Sequence, residues 1–164
     1  MLEFITQRLK NSPAFKETQE KLVHEESVVP VALELGIVML RRAQAQPPDV
    51  RKKTLESAEN VFLAIQGVAS ETDEYRVFYG QVLYWLGRYK DGRKLFDEFL
   101  ASKKDAFPST LSVAQILREV GADSECRELC EKAFAKATQP EEKFSAARLR
   151  ALSFTDLADK IEWL

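Results

Sequence analysis

Apolar residues recur every three or four positions through most of this chain, the spacing of one side of an α-helix. The clearest stretch is Tyr75–Leu100, YRVFYGQVLYWLGRYKDGRKLFDEFL. It predicts a helix over about 73–86, a tight turn at Leu86-Gly87-Arg88-Tyr89 and a second helix over about 89–102. The turn returns as Val120-Gly121-Ala122-Asp123, and the step between the two glycines is 121 − 87 = 34. A fixed interval of this size is the mark of stacked helical hairpins.

The same spacing divides the rest of the chain. Leu2, Ile5 and Leu9 predict a short amphipathic helix that ends at Asn11-Ser12-Pro13. Ser12 and Pro13 then start a helix reaching about Glu26, with Phe15, Leu22 and Val23 inward. Pro30 opens VALELGIVMLRRAQAQ, apolar on much of its circumference and therefore expected between neighbours. Pro47-Pro48-Asp49 breaks the chain, and Asp49 is expected to cap a helix through about Gln66, closed by Gly67. Its inward residues are Leu55, Ala58, Phe62 and Ile65. Ser70-Glu71-Thr72-Asp73 starts the next helix. After a break at Lys103–Pro108, helices are predicted over about 109–120 and 123–137. Thr138-Gln139-Pro140 with Glu141 and Glu142 signals another start, followed by helices over about 141–152 and 155–163. No segment alternates as a strand would. The expected fold class is all-α, a right-handed superhelical stack of antiparallel helical hairpins.

Composition narrows the function classes. The chain has 164 residues, 45% hydrophobic and 30% charged, with a net charge of −2, the balance of a folded domain rather than a disordered one. Charges are mixed along its length, so no basic surface for nucleic acid is expected. The start, MLEFITQRLKN, lacks the plan of a secretory signal. No apolar run approaches the ~20 residues that span a bilayer. Two cysteines do not make a disulfide framework. A cytoplasmic location is expected.

With the turns aligned, the copies resemble tetratricopeptide repeats. The small-then-bulky arrangement of that family falls on Tyr79, Gly80 and Leu83, then Gly87 and Tyr89 at the turn, then Gly92, Phe96 and Phe99. The next copy has Val113, Ala114 and Leu117, then Gly121, then Cys126, Cys130 and Ala133. A looser copy has Leu35, Gly36 and Met39, then Ala58, Phe62 and Ile65. The bulky aromatic usual early in the first helix is replaced by Arg76 and Thr110. The closing proline is replaced by Lys104 and Thr138. The resemblance implies flanking helices over 1–28, three hairpins over 29–138 (about 29–68, 73–102 and 107–138) and capping helices over 139–164. Gly36, Gly80 and Ala114 are expected to let the second helix approach closely, with Phe62 and Phe96 filling the gap left further along. Residues 49–100 are also similar to the mitochondrial fission adaptors, in a DVRK-like helix start and a VFY…YWLGRY-like helix and turn. Those adaptors end in a membrane anchor after two repeats, whereas this chain continues with another hairpin, so the similarity is architectural. Bacterial type III secretion translocator chaperones are similar in size and repeat number.

Tetratricopeptide proteins bind extended or helical peptides on the inner face of their first helices. The resemblance places Leu33, Ile37, Leu40 and Arg41, then Val77, Gln81, Tyr84 and Trp85, then Leu111, Gln115 and Arg118 on that face. Mainly apolar and aromatic, it would suit a peptide or an amphipathic helix of a partner protein. The alternative is that Tyr84 and Trp85 pack against a neighbouring helix of this chain. One variant of this groove grips a carboxylate with paired asparagines, but Asn11 and Asn60 lie on none of these faces. The implied function is a non-enzymatic adaptor or chaperone. A structural or homodimeric assembly domain using the apolar end Ile161-Glu162-Trp163-Leu164 is the other reading. Cys126 and Cys130 stand where small buried residues are wanted, and a zinc site would need two further ligands. His24 is the only histidine, and the glycines are isolated. No catalytic residue, metal or cofactor is therefore expected.

Overall fold

A computed structural model describes residues 28–154. The helices expected over 2–10, 13–26 and 155–163, and the apolar end Ile161–Leu164, lie outside these residues. The described residues form seven α-helices and no strand. They are α1 (Val28–Gln44), α2 (Pro48–Ala69), α3 (Asp73–Trp85), α4 (Tyr89–Ser102), α5 (Phe107–Glu119), α6 (Asp123–Lys136) and α7 (Pro140–Leu152). They divide into two compact units, one ending at Phe78 and the other beginning at Tyr79, inside α3.

In the first unit α1 packs on α2. The contact is made by absence: a Cβ added to Gly36 would lie 2.8 Å from the Phe62 ring. Phe62 is fully buried, and the Tyr75 ring meets its edge with centroids 5.8 Å apart. The α1–α2 turn is closed by Arg51, whose Nε donates to Ala43 O at 3.2 Å and Nη2 to Gln46 O at 2.9 Å. A cation at the carbonyl end of α1 also complements the helix dipole. Two expectations are corrected here. Asp49 does not cap α2: Pro47 holds the cap position and Pro48 the first turn, because proline supplies the required φ and has no amide to leave unpaired. Gly67 does not close α2, which continues through it to Ala69. Ala69 is buried, and that packing outweighs the modest helix cost of a glycine.

The start of α3 is capped by Thr72, whose Oγ1 accepts from the Tyr75 amide at 3.3 Å. In the second unit, the end of α3 and α4 approach through two glycines. A Cβ on Gly80 would lie 2.7 Å from the Phe96 ring, and one on Gly92 would lie 2.6 Å from the Tyr84 ring and 2.8 Å from Gly80 O. The close approach at Gly36 and Gly80 is present in both pairs, but Phe62 and Phe96 lie directly against these glycines rather than further along. Next, α5 packs on α6, and α7 lies against both. The core of these helices is Val113, Ala114, Leu117, Cys126, Leu129, Cys130, Ala133 and Ala146.

The two glycine turns have one geometry. Gly87 and Gly121 both have φ +79°. Arg88 N donates to Leu83 O at 2.8 Å and Gly87 N to Tyr84 O at 3.0 Å; Ala122 N donates to Leu117 O at 2.8 Å and Gly121 N to Arg118 O at 3.1 Å. Each pair is the 6→1 and 5→2 closure of a helix ended by a left-handed residue. The next bonds also repeat: Gly92 N to Arg88 O and Cys126 N to Ala122 O. The α4–α5 turn has the same closure without glycine. Asp105 N donates to Leu100 O and Lys104 N to Ala101 O, with Lys104 at φ 53° and Asp105 at φ 48°.

Candidate functional site

The residues expected on the inner face fall into three groups by exposure. Ile37, Leu40, Gln81 and Tyr84 are buried, at 6%, 1%, 5% and 2%, and have almost no surface to offer a partner. Leu33, Val77, Trp85 and Leu111 are half-buried. Arg41, Gln115 and Arg118 are exposed. In the second unit Leu111, Gln115 and Arg118 follow at i, i+4 and i+7, so they share one side of α5. Arg118 is partly engaged, its Nε donating to Leu152 O at the end of α7 at 3.3 Å.

Tyr84 follows the alternative reading and packs against neighbouring helices of this chain. Its ring stacks on Phe96 at 5.4 Å between centroids with a 20° interplanar angle. It lies 5.7 Å from the Tyr89 ring. Its hydroxyl donates to Glu125 Oε2 on α6 at 2.6 Å. That burial, the bond to Glu125 and the nearby carboxylate push the phenol well above its usual range, so it stays neutral under all ordinary conditions.

The same Glu125 oxygen accepts from Arg93 Nη1 at 3.0 Å, while Arg93 Nε donates to Asp97 at 2.9 Å and Nη2 to Glu128 at 3.3 Å. Lys132 Nζ also donates to Glu128, at 2.6 Å. Burial disfavours the Arg93 charge, but the bonds to Asp97, Glu125 and Glu128 outweigh it and raise the guanidinium pKa further. The Lys132 bond, against some desolvation and with help from Arg93, holds Glu128 below the usual carboxylate range. Tyr89, Arg93, Asp97, Ala101 and Glu125 line a shallow open depression of about 680 Å³ beside this hub. The hub fastens the end of α3 and α4 to α6.

The end of α7 is a second convergence. Arg127 Nη1 donates to Ser153 O at 2.9 Å. The guanidiniums of Arg127 and Arg150 lie 4.7 and 5.2 Å from the centre of the Phe154 ring. Arg150 also pairs with Glu131 at 2.8 Å. The sequence marked neither Arg127 nor Arg150, because single arginines on separate helices carry no motif.

In the first unit the other side of α1 is open. Val31, Leu35 and Val38 are 68%, 48% and 50% exposed, on the side opposite Gly36, Ile37, Leu40 and Ala43. The all-round apolar character of this helix, read as burial between neighbours, is thus packed on one side and exposed on the other. No described helix is long and apolar enough to cross a membrane. No protein-family model matches the sequence, and no curated protein or solved structure is significantly similar to it.

Proposed function

We propose that this chain is a non-enzymatic protein–protein interaction module of tetratricopeptide-like hairpins, a cytoplasmic adaptor or chaperone that holds a peptide or amphipathic helix of a partner protein. The observation that carries the reading is the repetition of the hairpin turn, bond for bond, at Gly87 and Gly121. Helix starts keep the same step. From Asp73 of α3 to Phe107 of α5 it equals the step between the glycines, and from Phe107 to Pro140 of α7 it is one position shorter. Units repeating at a fixed interval with one turn geometry stack with a constant rotation, which makes a superhelix and lines up their first helices. In the second unit the accessible part of that lining is Leu111, Gln115 and Arg118 of α5, with Trp85 of α3.

A photo-crosslinking residue placed at Gln115, and separately at Lys94 on α4, tests the assignment in the source cell. A discrete adduct from position 115 and none from position 94 is expected. The same adduct from both positions, or none from 115, overturns it. A second reading, an assembly domain of a larger complex or homodimer, is favoured by the exposed stripe Val31, Leu35 and Val38. Contiguous exposed aliphatic surface of this kind marks association sites.

A further inference from the structure

Cys126 and Cys130 stand one repeat step after Gly92 and Phe96. Where the α3–α4 pair puts a glycine and an aromatic ring into the seam between helices, the α5–α6 pair puts two thiols. They are 0% and 1% exposed, and their sulfurs lie 4.0 Å apart on one side of α6. Two metal–thiolate bonds of roughly 2.3 Å, set end to end, span about 4.6 Å. The present separation is about 0.6 Å short of that span. Among the described residues no group of three or more His, Cys, Asp and Glu is placed to hold an ion, so the donor set is two sulfurs and suits linear two-coordination. Soft thiolates select monovalent copper among the first-row ions.

We propose that Cys126 and Cys130 form a buried two-coordinate site for a soft monovalent d¹⁰ cation, with Cu(I) as its representative. Binding exchanges two thiol protons for one cation, leaving a bis-thiolate centre of charge −1 and releasing two protons. The surrounding charges are of both signs. Arg118 and Arg127 act on Cys126 and Arg150 on Cys130, against Asp123 and Glu131 on α6 itself. Burial keeps out bulky competing thiols, while a bare ion enters during local opening of α6.

The test is anaerobic titration of the reduced chain with Cu(I) against a chromophoric Cu(I) chelator, with X-ray absorption of the loaded protein. One equivalent retained, in a shell of two sulfurs, is expected. Cys126→Ala and Cys130→Ala, each checked for helicity, should each weaken retention more than about 100-fold, since outer-shell changes alone cost roughly 10–100-fold. Retention by the folded double variant, no retention by the wild-type chain, or a shell containing nitrogen, oxygen or a third sulfur overturns the proposal. The shell is read on the wild-type protein, so the decision does not depend on a variant folding.

Discussion

A single hydrogen atom at position 92 decides how closely α4 can approach the end of α3. A methyl there would meet both the Tyr84 ring and Gly80 O, and a backbone oxygen cannot rotate away. Gly92→Ala is therefore expected to cost about 3 kcal/mol in urea unfolding, the upper end for overpacking. Gly87→Ala meets nothing within 4 Å and should cost only the ~1 kcal/mol of a left-handed alanine. Equal losses would mean that the close approach does not govern this seam. Lys104→Gly should raise stability by about 1 kcal/mol, because φ 53° strains a lysine and not a glycine; an unchanged urea midpoint counts against it. The close approach at Gly36 and Gly80 was legible in sequence, since small and bulky residues alternate at helical spacing, but that Phe62 and Phe96 lie directly on these glycines was not. The inward turn of Tyr84 was one of two readings left open, and the partner that decides it was not legible. Its hydroxyl partner Glu125 is 41 residues away, and nothing near Tyr84 signals it.

Helix ends show where local signals suffice and where they fail. The start of α7 could be read because its signals are adjacent: Glu142 accepts from Thr138 N at 2.8 Å and Gln139 N at 3.2 Å. These backbone bonds hold its carboxyl below the usual range. A folded value below the unfolded one means the stabilisation is complete at neutral pH. It is lost as pH falls from about 4.3 through the folded value. Glu142→Ala should lower Tm at pH 7, and the difference from wild type should shrink on acidification; a pH-independent difference would refute the cap. The start of α2 was misassigned to Asp49 because two prolines before it serve as well. The end of α2 was misassigned to Gly67 because burial of Ala69 depends on packing that the local sequence does not display. Arg51 stands in a run of three cations, Arg51-Lys52-Lys53, yet it closes the α1–α2 turn through two carbonyls.

For the molecule as a whole, the repeat step was legible in the glycine turns. The place of α7 in that step was not. A fixed step of 34 from Gly80 and Ala114 lands on Arg148, which is exposed; because α7 starts one position early, the small residue in that place is Ala147, a shift that a fixed step misses. The exposed side of α1 bears on association. If the assembly reading holds, sedimentation should reveal self-association that rises with concentration and is abolished by Leu35→Glu; a concentration-independent monomer removes that reading. The Arg93 hub has a consequence in ionic strength. Native stability should decline as salt is added, because salt weakens the attraction of one guanidinium for Asp97, Glu125 and Glu128. Replace that guanidinium with methionine and three carboxylates confront one another, with Lys132 left to neutralise only Glu128. The same salt would then shield a repulsion, and the variant would melt later in brine than in dilute buffer.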